Sequence, residues 1–382
     1  MSQLPAPAPD AAAHSDRVRA AIAEAIAEAG GWISFARYME LALYAPGLGY
    51  YAAGAVKLGT EGDFVTAPEI SPLFGQTLAR SVADVLLAAG NSVLELGAGS
   101  GRLACDLLQA LDELGVGVDD YRILEVSPDL RSRQEATLAA AGLHDRVRWI
   151  DRLPERVDGV AVANEVFDAL PVHLVAWRSD GIFERGVGLN GSGFAWDERP
   201  ITDPGLAAAA AAIDVPRPYR SEISLAGPAL MRSLAAVLER GAIIAIDYGF
   251  PAREYFHPQR AQGTLMCHYR HRAHGDPFFQ PGLNDITAHV DFSALAAAAA
   301  AAGLDVLGYT SQAGFLLDCG ITAILAQTPA DDAARYLPLV AGAQKLLSPA
   351  EMGELVKVLA IGRGIERPLT GFRRGDRTAA LG

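Results

Sequence analysis

Cysteine is scarce in this 382-residue chain: Cys105, Cys267 and Cys319 are the only three. Thiols so few and so scattered build no disulfide framework, which points to a reducing compartment. Basic charge is also short, with 32 Lys and Arg against 45 Asp and Glu and a net charge of −13. Phosphate backbones call for basic surface, so this balance argues against nucleic acid as a main partner. It remains compatible with a basic patch on a target protein. No apolar run reaches the roughly 18 residues of a candidate membrane span. The alanine runs near 206–212 and 295–302 read as helix formers instead. No arginine precedes Arg17, and residues 1–13 are rich in Pro and Ala. That segment is expected to be a disordered leader and a poor organelle-targeting peptide. The hydrophobic content of 51% with 20% charged residues is that of a globular chain. Its length suits a core domain with additions.

The chain is organised around Val93-Leu94-Glu95-Leu96-Gly97-Ala98-Gly99-Ser100-Gly101. An apolar run halted by glycines at alternate positions reads as a buried parallel strand turning into a helix, here from about Leu103 to Leu114. Gly97 and Gly99 permit positive φ and let backbone approach a ligand. A dinucleotide fingerprint would need a third glycine where Arg102 stands, so that pattern fails. What remains is an acid, Glu95, two residues before three glycines spaced by one.

Elsewhere the pattern predicts helices over about 14–29 and 34–44, the second N-capped by Ser34. An aromatic, Gly- and Pro-rich section follows, ending in Gly62-Asp63-Phe64-Val65-Thr66-Ala67-Pro68-Glu69-Ile70-Ser71. A loop of this kind is either a structural connector or a functional lid. Strands are predicted at 92–97, 121–126, 146–150, 158–163 and 242–246, alternating with helices. That alternation implies a parallel sheet whose ligand residues gather at the carboxyl ends of the strands. Glu125, Asp151, Asn164 and Glu165 all fall there. Residues 172–198 read as an antiparallel hairpin addition. Residues 249–288 read as a polar insertion. After a helix at 291–302, strands are expected at 304–310 and 321–327, then helices at 331–345 and 348–360 and a mobile arginine-containing tail.

Glu125, one βα unit past the glycine turn, is either a solvated strand-end acid or, as the resemblance of that turn to a methyltransferase motif implies, an acceptor for two ribose hydroxyls, at about 1.5–3 kcal/mol for each charge-assisted bond. Asp151 is the candidate for an adenine amino group, or else a solvated strand-end acid. Leu124, Val126 and Leu153 are candidates for apolar contact with the ring. Glu165 and Asp168 are spaced i, i+3 and would share a face if the segment turned helically; the plainer alternative is that they cap a turn. Cys267-His268-x-x-His271-x-x-His274 matches no common zinc spacing, and Arg270 and Arg272 interrupt it with positive charge, so no metal is expected.

The glycine turn resembles motif I of class I S-adenosylmethionine-dependent methyltransferases. Together with the Asp63 string, Ala163-Asn164-Glu165-Val166-Phe167-Asp168-Ala169-Leu170-Pro171-Val172-His173, Asp247-Tyr248-Gly249 and Asp285-Ile286-Thr287-Ala288-His289-Val290-Asp291-Phe292, it resembles the MidA-like family over about residues 30–330. The resemblance implies an α/β, Rossmann-like class I methyltransferase fold: a mostly parallel seven-stranded sheet with an antiparallel last strand, plus N-terminal helices and inserted substrate-covering segments. The expected division is a leader (1–13), an N-terminal helical and lid region (14–90), a core (91–330) with insertions at 172–225 and 249–288, and C-terminal helices and tail (331–382).

The resemblance also implies S-adenosyl-L-methionine as cofactor and a protein arginine as substrate. Mitochondrial members of the family act on a core subunit of respiratory complex I. Without an evident presequence, a bacterial-type, cytoplasmic member is expected. On this reading Glu95, Gly97, Ala98, Gly99, Gly101, Glu125, Val126, Asp151 and Leu153 hold the cofactor, with Asp63, Phe64, Thr66 and Glu69 over its methionine end. Glu165, Asp168 and Asn164 serve catalysis. The competing readings are a catalytically silent assembly protein on the same fold and a small-molecule methyltransferase.

Overall fold

The computed structural model describes residues 4–53, 66–191 and 193–382. The chain divides into two compact units, Met1–Phe64, Asp168–Gly227 and Ala252–Asp291 forming one, and Val65–Phe167, Pro228–Pro251 and Phe292–Gly382 the other.

In the second unit seven strands form one sheet: β1 (Ser92–Leu96), β2 (Asp120–Leu124), β3 (Val147–Ile150), β4 (Val157–Asn164), β5 (Leu238–Phe250), β6 (Asp305–Ser311) and β7 (Val356–Arg363). Their order is β6-β7-β5-β4-β1-β2-β3. The pairs among β1 to β5 are parallel, and β7 runs antiparallel to both of its neighbours. The order reverses direction beside β1, where β4 and β2 flank it. In open α/β sheets that switch point leaves a crevice at the carboxyl ends of the strands.

Helix α1 is a single turn (Ala67–Ile70), followed by α2 (Leu73–Ala88), α3 (Arg102–Glu113) and α4 (Pro128–Ala140). On α2, Leu78, Val82, Val85 and Leu86 recur at helical spacing and are buried, as are Leu103, Leu107, Leu108 and Leu111 on α3. They pack with Val160 and Val162 of β4 and Ile244 and Ile246 of β5 in one core. At about 1.5–3 kcal/mol for each large side chain, this burial anchors the glycine turn between strand and helix.

The last strand lies elsewhere than the spacing predicts. Residues 321–327 were expected in extended form, but Ile321–Leu325 is helical. The antiparallel strand is instead Val356–Arg363, which begins within the segment expected as a helix over 348–360 and runs past its end. Seven of its eight residues are buried, Lys357 among them, so both faces are covered and the period-two signal vanishes. The expected mobile tail is tied down: Thr370 N donates to Asp84 (2.6 Å), Arg374 N to Asp318 (2.7 Å), and Arg377 pairs with Glu354 (2.5 Å).

The other unit carries an antiparallel sheet in which Gly181–Asn190 lies between Trp32–Ser34 and His173–Arg178 and also pairs with Gly193–Pro200; Tyr219–Ile223 joins at the far side of His173–Arg178. The predicted hairpin is thus part of a larger sheet. Helix Pro9–Glu28 begins inside the expected leader, with proline at its first turn. Ser34 caps Phe35–Tyr44 by accepting from Arg37 N at 3.1 Å, as the sequence predicts. The polar insertion contains a small three-stranded sheet, Arg272–His274, Met266–Tyr269 and Asp285–Thr287. Arg270 and His271 form the tight turn of its hairpin with φ of 48° and 59°. Among the described residues no group of three or more potential metal ligands gathers. No described helix is long and apolar enough to cross a membrane.

Candidate active site

Gly97, Gly99 and Gly101 adopt φ of 59°, 55° and 84° and carry the chain from β1 into α3. Gly97 N donates to Leu124 O (3.1 Å) and Gly101 N to Ala98 O (2.8 Å), so the turn is tied to the end of β2 and to itself. Ala98, inside the turn, is buried. A Cβ on Gly101 would stand 3.1 Å from Gln134 Cα. Helix α4 therefore packs closely against the turn, although the dinucleotide pattern's third glycine is missing. Gly101→Ala combines that contact with a left-handed backbone costing about 1–2 kcal/mol for a residue with a Cβ. The variant is expected to lose at least that much stability in a denaturant titration.

Glu125 follows β2 and is buried. Its Oε1 accepts from Ser127 N at 2.8 Å and its Oε2 from Gln134 Nε2 at 2.9 Å. Ser127 also N-caps α4, accepting from Leu130 N. Val126, next in the chain, is 70% exposed, an apolar side chain left open beside a buried acid. Asp151 is exposed just past β3, and Leu153 is half-buried. On β1, Glu95 is only 2% exposed and accepts from Tyr121 Oη at 2.6 Å. Burial pushes its carboxyl up to about 7; the Tyr121 hydrogen bond works against that shift and the Glu125 charge adds to it.

At the end of β4, Glu165 holds φ of 52°, a left-handed conformation rare for a residue with a side chain. The backbone turns away at once, and no residue of 165–170 is helical. The helical geometry expected to align Glu165 with Asp168 is therefore absent. Glu165 Oε1 accepts from Ala67 N (3.1 Å) and Asn164 Nδ2 (3.3 Å), and Glu165 N donates to Ile246 O (2.8 Å). The acid thus satisfies one of the free N–H groups at the start of α1. Glu69, on the same short turn, accepts a hydrogen bond from Ser100 Oγ in the glycine turn. Thr66 stands at the N-cap position without a side-chain cap bond. Helix α1 accordingly joins the glycine turn to Glu165 through two carboxylates. Asp63 and Phe64 lie outside the described residues. Asp168 belongs to the other unit, where it is buried and its carbonyl accepts Ala288 N at 3.0 Å. In that unit Asp285 accepts Tyr51 Oη at 2.8 Å.

Sequence reasoning missed Gln134, Ser100 and the role of Asp247. Asp247, fully buried at the end of β5, accepts from Val166 N (3.1 Å) and Phe167 N (2.8 Å) through Oδ2, and from Tyr248 N (2.8 Å) through Oδ1. It fixes the loop that leaves Glu165. The Asp247-Tyr248-Gly249 string was visible in the chain; its geometric partner was not.

A glycine turn after the first strand, a buried acid after the second and a polar pair after the fourth, on a sheet whose order reverses at β1, define a nucleoside-cofactor methyltransferase. Two features fit such a group: the open apolar face of Val126, and Asn164 Oδ1, which is buried with no hydrogen-bond partner among the described residues. The family model of S-adenosyl-L-methionine-dependent methyltransferases matches residues 77–310. A solved superfamily member from Burkholderia thailandensis, bound to S-adenosyl-homocysteine, is 55% identical with a TM-score of 0.96, covering 99% of this chain and 100% of that one. The mitochondrial protein arginine methyltransferase NDUFAF7 of Mus musculus is 30% identical over 87% of this chain and 81% of its own length. Its Danio rerio counterpart is 29% identical over 87% and 84%. The chain belongs to the MidA-like family of S-adenosyl-L-methionine-dependent methyltransferases, and S-adenosyl-L-methionine is its cofactor.

Proposed function

We propose that this methyltransferase modifies an arginine of a partner protein, with a subunit of respiratory complex I as the first candidate. The names of the mitochondrial relatives support an arginine substrate. The observation that carries the reading is Glu165, an acid held in a strained backbone at the carboxyl end of β4. The bound cofactor supplies an electrophilic methyl group on a sulfonium. Transfer is an in-line displacement that depends on alignment. An arginine is protonated at neutral pH, so its site needs a carboxylate to orient the guanidinium, localise its charge and take its proton. We assign that role to Glu165, with Asn164 as the residue holding it. Glu125 takes the ribose, Val126 and Leu153 the ring, Asp151 the adenine amino group. Glu95 takes the cofactor's ammonium through water, beside the Gly97, Ala98, Gly99 and Gly101 backbone. Glu69 and Thr66 border its methionine end.

Methyl-labelled cofactor incubated with the enzyme and cell extract tests the substrate. Label recovered in methylarginine after protein hydrolysis supports the reading. Label confined to small molecules, or no transfer despite cofactor binding, replaces it by one of the two competing readings.

The Glu95 assignment predicts a pH dependence. The ligand's ammonium favours the ionised carboxylate, whereas burial holds the free protein's carboxyl at about 7. Affinity for S-adenosylhomocysteine should therefore rise as pH rises through about 7. It should level off above that, once the Glu95 carboxyl is ionised in the free protein as well. Glu95→Gln should flatten the rise in a calorimetric series; an unchanged profile in that variant removes Glu95 from the ammonium site.

A further inference from the structure

Gln134 is fully buried on α4, nine residues past the ribose acid, and all of its polar atoms are engaged. Its Nε2 donates to Glu125 Oε2 at 2.9 Å and to Gly99 O at 3.1 Å. Its Oε1 accepts from Trp149 Nε1 at 2.9 Å. The amide orientation is forced. An indole N–H only donates, so it must meet the amide oxygen. A carbonyl and a carboxylate only accept, so they must meet the amide nitrogen. One neutral side chain thus links the glycine turn, the acid after β2 and the indole on β3. Gly101 packs against the same residue, since a Cβ there would stand 3.1 Å from Gln134 Cα.

We propose that Gln134 is the positioning residue of the cofactor site: it fixes the Glu125 carboxylate toward the ribose and holds the Gly99 carbonyl in the turn at the same time. This rests on the assignment of Glu125 to the ribose. Leucine of similar size would leave the Gly99 carbonyl, the Trp149 N–H and one Glu125 oxygen without their partner. Glutamate would set a second carboxylate against Glu125. It could donate a proton to Glu125 or to Gly99 O only when protonated.

The test is calorimetric binding of S-adenosylhomocysteine and of its 2′-deoxy counterpart to the full chain. The wild type should prefer the ribose form. Gln134→Leu should weaken S-adenosylhomocysteine about tenfold or more, as expected for losing hydrogen bonds to a charged group, while the 2′-deoxy form changes less, so that the preference shrinks. Gln134→Glu should show the same loss relative to wild type at about pH 8, and its deficit against wild type at the same pH should shrink in mildly acidic buffer, where its carboxyl regains a proton while Glu95 titrates alike in both proteins. That pH profile decides the matter if the leucine variant fails to fold. Equal weakening of both ligands with no acid recovery in Gln134→Glu would show a merely structural role and overturn the proposal. Glu125→Ala separates the two layers. If it keeps the wild-type preference, the ribose assignment falls and this proposal with it. If it loses the preference while a folded Gln134→Leu keeps it, only the Gln134 proposal falls.

Discussion

Glu165→Gln is expected to bind S-adenosylhomocysteine as tightly as the wild type and to lose at least about a hundredfold in arginine methylation, the lower range for removing a positioned acid–base group. The substitution keeps the size of the side chain and one oxygen able to accept from Ala67 N, so α1 and the glycine turn it borders should remain in place. What disappears is the negative charge that the proposed mechanism uses to orient and deprotonate the guanidinium. Binding and turnover should therefore separate. A parallel loss of both would assign Glu165 to cofactor binding, and wild-type turnover would remove it from the mechanism.

Asp247→Ala is expected to lower the unfolding free energy by roughly 3–5 kcal/mol in a urea titration. Three backbone N–H groups converge on this one buried carboxylate. Each orphaned donor costs about 1–3 kcal/mol once its partner is gone. Asp247→Asn retains one acceptor oxygen and should lose less. Because Val166 and Phe167 follow Glu165 directly, the alanine variant should also lower turnover in the fraction that stays folded. A loss below about 1 kcal/mol, within the range of ordinary surface substitutions, would mean that the loop is held by other contacts.

The legible part of this chain was its first four parallel strands and the glycine turn. Strand segments broken by helical segments implied parallel pairing, which the structure shows, but did not give the strand order. Glu125 and Glu165 were singled out because a strand end in a parallel sheet is where ligand groups collect, and the structure places both just past strand ends. The residues that hold them were not. Gln134 and Asp247 act across 9 and 80 or more residues of sequence, through contacts that exist only after folding. The strand Val356–Arg363 was misread because a strand buried on both faces has no alternation to distinguish it from a buried helix. Asp168 was aligned with Glu165 on the premise of a helix that the positive φ of Glu165 rules out.

A crystal of this chain with S-adenosylhomocysteine tests the central claim most directly. The account predicts both ribose hydroxyls within hydrogen-bond reach of Glu125, the adenine against Val126, and the homocysteine end along the turn from Gly97 to Gly101. A ribose bound elsewhere, with the Glu125 carboxylate facing no ligand atom, would contradict it.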